Sequence, residues 1–500
     1  MGNYLAALDL GTQSVKTVVM DAQGRLLAVS HEGYGLNTPK IGFAEQDPEE
    51  WWRAGAKTIR EAVSKAGIAP EEIAGFGFSG QMHGMVALDE QGRPVCPAII
   101  WMDQRSAAEA EEIRAAAGDL LETKLLNRPV PGMMISSLLW LKKNQPAVYD
   151  RIHTVMLPKD YIRFRMTGEI GTDLADGSAT GAFSVAEQRW CTELLERIGI
   201  RTELFPPARE CTQIAGTVSA KGAEETGLAK GTKVVFGSGD AAAQLVGNAV
   251  VKEGIISCNI GTASQIAAAV TVPHFDAQMR VQTFCHAVPG RWLFQGGTLN
   301  GGSTLSWLRN RVLRDSRPFA DLDMEASQVP AGSEGLIFIP YLAGERTPYM
   351  DPKAKGVYFG LSMKHEQGHM IRATMEGVIY NLRECLRIMD ENGVPKEKII
   401  SSGGAAKGKI WKQIQADVLE MPVYTTATEE EACQGAAIQA AVGAGIYGSI
   451  DEACDAIVRL DPVPTEPIAE NIPVYREMQA LFREVYLAGT PIFQKLPGQD

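Results

Sequence analysis

The sequence predicts an α/β protein of two related lobes around a central cleft, and three observations predict it. A strand meander followed by amphipathic helices occurs twice along the chain. Two short turns, Asp9-Leu-Gly-Thr-Gln-Ser14 and Asn259-Ile-Gly-Thr-Ala-Ser264, occupy the same place in the two halves. The 500 residues, at about 150 per domain, leave room for more than one core. The expected division is 1–248 for the first lobe and 249–500 for the second.

In the first half, Tyr4–Leu10 is apolar and β-compatible. Gly11 to Ser14 turns the chain into a strand over 15–21, and Asp21-Ala-Gln-Gly24 turns it again into 25–30. A helix starts at Asp47-Pro48-Glu49-Glu50: Asp47 suits the N-cap, Pro48 the first turn, and Glu50 a capping box. Trp52, Ala56, Ile59 and Val63 follow at helical spacing. A short buried strand over 73–78 ends at Ser79-Gly80-Gln81-Met82-His83-Gly84.

The second half repeats this order. Strands are expected at 254–260, 265–270, 282–287 and 292–295. A long helix over 370–389 carries Ile371, Met375, Val378, Leu382, Cys385 and Met389 on one face, and Asn392-Gly393 ends it with a left-handed cap. A strand at 399–402 leads through Gly403-Gly404 into a helix with Ile410, Ile414 and Val418. The Gly/Ala-rich stretch 432–450 reads as a tightly packed helix. A terminal helix over about 474–487 packs back on the body.

Composition excludes several functions. Lys and Arg number 48 against 60 Asp and Glu, a net charge of −12, so no global field attracts nucleic acid or an anionic membrane. The hydrophobic share of 45% and charged share of 22% are those of a globular chain, not a disordered one. None of the eight cysteines stands at CxxC spacing, so reduced thiols and a cytoplasmic location are expected. The first residues lack the basic and apolar regions of a secretory signal.

Four sites can carry chemistry. In Asp9-Leu-Gly-Thr-Gln-Ser-Val-Lys16 a tight turn offers backbone N–H groups and a hydroxyl to a phosphate. Asp9 there can hold Mg²⁺ through water. The hairpin at 259–264 offers the same to the other side of a cleft, although each alone is equally an ordinary turn. Neither a GxxxxGK[ST] loop nor a GxGxxG loop occurs. In Gly237-Ser-Gly239-Asp240 a strand delivers a carboxylate to a helix start, where it can accept a proton or merely cap the helix. Gly403-Gly404-Ala405-Ala406-Lys407-Gly408 is a flat floor for a base, or an ordinary β-α turn. Gln81-Met82-His83 follows a buried strand at the expected crevice, and no His/Glu cluster has metal-ligand spacing.

Taken together, these residues resemble the FGGY family of carbohydrate kinases, from Tyr4 to about Tyr447. The most specific stretch is Gly356-Val-Tyr-Phe-Gly360-Leu361, seven residues, then His369-Met-Ile-Arg-Ala373-Thr-Met-Glu376. Glu45-Gln-Asp-Pro48, Gly80-Gln-Met-His-Gly84, Leu157-Pro-Lys-Asp-Tyr161 and Tyr341-Leu-Ala-Gly-Glu-Arg-Thr-Pro348 point within the family to members that phosphorylate D-xylulose. The resemblance implies a two-lobed actin/hexokinase-like (ribonuclease H-like) fold. It also implies ATP and Mg²⁺ as donor and metal. Asp240 matches the proton acceptor, and Gln81, Met82, His83, Trp101 and Asp103 the sugar site with it. Asp9 matches the water-linked metal carboxylate. Thr12, Gln13, Lys16, Gly261 and Thr262 match phosphate contacts, and Gly302, Ser306, Gly404, Ala405 and Gly408 the nucleotide site.

Two positions depart from the family pattern: Ala241 replaces an Asn or Gln that touches the sugar, and Ser137 stands where Lys precedes Trp140. The expected reaction is transfer of the ATP γ-phosphoryl group to the 5-hydroxyl of a neutral sugar, which needs no basic pocket. Alternatives are another ketopentose, a pentitol or a sugar acid and, from another class, a non-catalytic sugar-sensing or actin-like scaffold. The expected partners are a small sugar, neither nucleic acid nor membrane, with a homodimer the default assembly.

Overall fold

The structure, a computed structural model, describes residues 3–496. Seven strands form the first sheet: β1 (Tyr4–Leu10), β2 (Ser14–Asp21), β3 (Leu26–Gly33), β4 (Ile73–Gly80), β5 (Ile214–Thr217), β6 (Lys233–Val235) and the short β7 (Ser238–Gly239). Their order is β5-β6-β4-β1-β2-β3, with β7 also on β4. The meander β1-β2-β3 is antiparallel, whereas β1 and β4 run parallel, with Asp9 opposite Ser79 and Lys16 opposite Asp9. Parallel pairing needs a long crossover, and helix α1 (Pro48–Ala66) supplies it. Asp47 caps α1 by accepting the Glu49 N–H at 2.9 Å, two residues on, so the expected box with Glu50 is not what holds this end. Trp51, Trp52, Ile59 and Val63 bury the inner face of α1 against β1 and β2. Each such side chain contributes about 1.5–3 kcal/mol when fully buried.

The second sheet has six strands: β8 (Gly254–Ile260), β9 (Ser264–Val270), β10 (Gln282–Cys285), β11 (Trp292–Thr298), β12 (Lys396–Gly403) and β13 (Val423–Thr425), in the order β10-β11-β9-β8-β12-β13. Again an antiparallel hairpin, β8-β9, is followed by a parallel partner, β12. The repeated layout predicted from the two Gly-Thr turns is therefore present, strand for strand, around β1-β2-β4 and β8-β9-β12. The helix over Gln367–Glu391 crosses between β11 and β12, and Gly393 beyond it has φ 72°. Its apolar face, with Ile371, Met375, Val378, Leu382 and Cys385, is wholly buried. The terminal helix over Asn471–Phe493 inserts Tyr475, Met478, Phe482 and Tyr486 into the same core.

Two helices join the halves. The helix Asp240–Gly247 continues from β7, and the helix Glu431–Ala444 lies across it and over β4 and β1. A Cβ on Gly435 would stand 1.8 Å from the Ala243 carbonyl oxygen, and one on Gly77 would stand 2.0 Å from that of Ala436. The small residues read in 432–450 are what let these backbones touch. The helix ends earlier than expected, at Ala444, because Gly445 turns left-handed with φ 84°. Among the described residues no helix is long and apolar enough to cross a membrane, and the cysteines are all free thiols.

Candidate active site

Strand ends assemble the first part of the site. Asp9, Ser79 and Ser238 sit side by side on β1, β4 and β7. The Ser79 hydroxyl donates to Asp9 Oδ1 at 2.7 Å. Asp240 follows β7 as the first residue of its helix, and Gly239 takes the cap position that Asp240 was equally suited to fill. Asp240 Oδ1 accepts only the neighbouring Ala241 N–H, at 2.7 Å. Burial, and then the charge of Asp9, push the Asp240 carboxyl up to about 7. Burial also raises Asp9, against the Ser79 hydroxyl and Lys16. A carboxyl poised near neutral pH beside a second carboxylate is suited to taking up a proton.

Met82 is buried against Gly239, whose missing side chain leaves it room: a Cβ there would meet Met82 Cγ at 2.6 Å. Ala241 joins this apolar wall. His83 holds a left-handed φ of 71°. Its Nδ1 lies 2.6 Å from the Ala179 carbonyl oxygen, which fixes Nδ1 as the donor. Burial lowers the ring to about 4. The imidazole is thus neutral and Nε2 is an acceptor, so one tautomer, not either, faces the cleft.

Two other sugar-site candidates are engaged within the protein. Gln81 is buried and its Nε2 donates to Gln46 Oε1 at 3.1 Å. Asp103 is fully buried and receives the Ala44 N–H at 2.7 Å and the Arg105 guanidinium at 2.7–2.9 Å. It anchors the loop that carries Trp101, whose Nε1 donates to Thr12 Oγ1 at 2.9 Å. Lys16 pairs with Glu430 at 2.5 Å, and Gln13 is exposed on the turn.

The second part is a cavity of about 1250 Å³ on the other sheet. Gly261, Thr262, Gly302, Ser306, Gly404, Ala405 and Gly408, drawn from three separated stretches, all line it. The Gly302 N–H donates to the Gly261 carbonyl at 2.7 Å, tying the hairpin to the following helix. Sequence reasoning missed Phe319, Asp323 and Trp411 in the same wall, which lie in helices without a motif. Asp323 Oδ1 is buried without a partner. The exposed backbone of two Gly-rich turns and an apolar floor fit a nucleotide. Asp9 and Asp240, with no cluster of three metal-binding side chains among the described residues, fit a magnesium ion that keeps most of its waters.

Comparison with known proteins agrees with this layout. Residues 4–247 match the N-terminal domain of the FGGY family of carbohydrate kinases, and residues 256–444 match its C-terminal domain. A xylulose kinase of Bacillus subtilis is 32% identical over 483 residues, covering 97% of this chain and 96% of the relative. A gluconokinase of the same organism is 31% identical over 496 residues, covering 96% and 95%. The crystal structure of ligand-bound xylulose kinase from Lactobacillus acidophilus superposes with a TM-score of 0.91 at 27% identity, covering 98% of this chain and 99% of that one.

Proposed function

The chain belongs to the FGGY family of carbohydrate kinases, and from that premise we propose that it transfers the γ-phosphoryl group of ATP to the 5-hydroxyl of D-xylulose. The observation that carries the reading is Asp240, raised toward neutral pH, between Gly239, which packs on Met82, and Ala241, which joins the apolar cluster of Met82 and Phe284 where His83 also packs. Asp240 takes the proton of the 5-hydroxyl while that oxygen forms its bond to phosphorus and the bond from phosphorus to the ADP oxygen breaks. His83 Nε2 accepts a bond from a second hydroxyl, and Met82 supplies an apolar wall. Asp9 would hold Mg²⁺ through water, and the ion would supply charge neutralisation for the phosphoryl oxygens. Thr12, Gln13, Lys16 and Thr262 are assigned to the phosphates. In this reading Lys16 exchanges its partner Glu430 for phosphate. Gly302, Ser306, Gly404, Ala405 and Gly408 are assigned to the rest of the nucleotide. The lobes in this reading are 1–248 and 249–500.

A second reading is a sugar acid as acceptor. Arg128 and Arg346, neither with an ion pair among the described residues, lie near each other, and Arg346 lies near His83, which favours this reading. ADP release with Mg-ATP across D-xylulose, other ketopentoses, pentitols, D-gluconate and glycerol tests both. A preference for D-xylulose is expected, and turnover on D-gluconate alone would overturn the first reading.

The nucleotide assignment has its own test. Gly403 has φ 78°, and a Cβ there would stand 2.6 Å from the Ile260 carbonyl oxygen. With ψ −168° this is a backbone region essentially confined to glycine, and another residue there costs about 1–3 kcal/mol. Gly403→Ala is expected to raise KM for ATP about tenfold, with KM for the sugar little changed. An unaltered KM for ATP would remove this turn from the nucleotide site.

A further inference from the structure

The edge strand β10 docks on the first half of the chain at successive residues. Thr283 N–H donates to Asn127 Oδ1 at 2.9 Å, and Asn127 Nδ2 returns a bond to the Thr283 carbonyl. The Phe284 ring lies 5.9 Å from that of His83. Cys285 N–H donates to Ser178 Oγ at 2.9 Å. Arg128 is therefore held one residue from the point where its loop is pinned beside the sugar site.

Arg346 reaches the same place from the other lobe. Phe284 pairs with Leu293, Gln282 with Gln295 and Gln265 with Gly297, so Phe284, Gln295 and Gly297 share one face of the sheet. Gly297 has no side chain, and its Cβ position lies 3.7 Å from Arg346 Nη1. The Thr347 N–H donates to the Gly297 carbonyl at 3.2 Å and fixes the approach. The guanidinium thus lies over the strand face that carries Phe284, against which His83 packs, and Gln265, which follows the hairpin at 259–264.

Neither arginine has a hydrogen bond or ion pair from its guanidinium among the described residues. The obvious partner for Arg346, Glu345, is buried and committed elsewhere. Its Oε1 accepts the N–H groups of Leu299 and Arg346 at 2.7 Å, and its Oε2 accepts Asn381 Nδ2 at 2.7 Å. Each guanidinium is partly desolvated, and Arg346 disfavours the charge of both Arg128 and His83. Two neighbouring guanidiniums that make no hydrogen bond or ion pair among the described residues, with only the committed Glu345 carboxyl acting on one of them, call for an oxyanion, which guanidinium binds in bidentate fashion.

We propose that Arg128 and Arg346 form an oxyanion-binding subsite on the sugar side of the cleft. The oxyanion is either a carboxylate on the acceptor sugar or the phosphoryl group as it becomes the product ester. This proposal rests on the kinase reading for its ligand, not for its geometry.

The test compares Arg128→Gln, Arg346→Gln and the double variant with the wild type. Readouts are kcat/KM for D-xylulose and D-gluconate and inhibition by D-xylulose 5-phosphate. A charged hydrogen bond lost in each variant is expected to weaken the relevant step about tenfold or more. If the carboxylate is the ligand, D-gluconate loses at least tenfold more than D-xylulose. If the phosphoryl group is the ligand, kcat on D-xylulose falls and the product inhibits less tightly. Values within twofold of wild type for both sugars and the product overturn the subsite. If the wild type phosphorylates neither sugar, the kinase reading is what fails. Calorimetric titration of inorganic phosphate and D-gluconate then decides the subsite alone: binding abolished in the double variant supports it, and no binding to the wild type overturns it.

Discussion

Replacing Asp240 by Asn is expected to lower kcat about 10²–10⁴-fold, the usual contribution of a general base, while ATP still binds. Asn keeps the size and the bond from the Ala241 N–H but cannot take up a proton. The nucleotide cavity is lined from the second sheet and its helices, so the change does not touch it. The base works as a carboxylate, and burial together with Asp9 pushes Asp240 up to about 7. Rate should therefore rise with pH, by about tenfold per unit on the acid side, and level off above neutrality. Asp9→Asn removes the second cause and should move that limb to lower pH, whatever it also does to magnesium. Steady-state assays from pH 5 to 9, with nucleotide binding measured separately, check each point. Wild-type turnover in Asp240→Asn, or a flat profile in the wild type, would exclude Asp240 as the base.

Much of this site was legible because it is built from local signals. A Gly-Thr turn between two apolar runs announces a hairpin, and two such hairpins at equivalent places announce two lobes. The helix over Gln367–Glu391 was legible from its spacing of Ile371, Met375, Val378 and Leu382, since burial of one face is what makes it a helix. Asp240 could be placed at a helix start, but not its raised pKa, which comes first from burial and then from Asp9, two strands away in the sheet and 231 residues away in sequence. The tautomer of His83 was likewise invisible, because it is set by the carbonyl of Ala179.

Arg128 and Arg346 show the limit most clearly. They are separated by 218 residues, and each alone reads as an ordinary solvated charge. Only the sheet register, with Gly297 open beneath one and Thr283 pinning the loop of the other, brings them to one cleft. Asp103 and Gln81 carry partners that the sequence did not show: the Asp103 carboxylate receives Ala44 and Arg105, and Gln81 Nε2 donates to Gln46 while Gln81 Oε1 is buried without a partner among the described residues.

Replacing Lys159 by Met is expected to destabilise the protein by about 3–5 kcal/mol, the cost of breaking a buried ion pair from one side, and to lower Tm by roughly 3–5 °C in a chain of this length. In sequence, Lys159-Asp160 looks like a surface pair. In the structure Lys159, Asp160, Arg163, Asp173 and Asp176 are all fully buried. Lys159 Nζ lies 2.7 Å from Asp160, 2.5 Å from Asp173 and 3.4 Å from Asp176. Two cations cannot balance three ionised carboxylates in a dry interior, so one carboxyl keeps its proton. Burial raises Asp176 furthest above the ordinary carboxylate range, against the pull of Lys159, and neither of its oxygens has a hydrogen-bond partner. The same Oδ1 lies 3.2 Å from the Cβ position of Gly239, directly before Asp240, so the network forms the floor beneath the proposed base. Asp176→Asn mimics the protonated acid and should cost less than about 1 kcal/mol at neutral pH. The sign of the pH effect follows. The folded state keeps a proton that the unfolded state releases above about pH 4, so this group's contribution to stability falls as pH rises from there. Asp176→Asn should flatten that slope, and Lys159→Met should steepen it. Thermal unfolding across pH 4 to 8 reads all three proteins. A Tm for Lys159→Met within 2 °C of wild type, or an Asp176→Asn variant as damaged as Lys159→Met, would mean that the buried charges do not carry the balance drawn here.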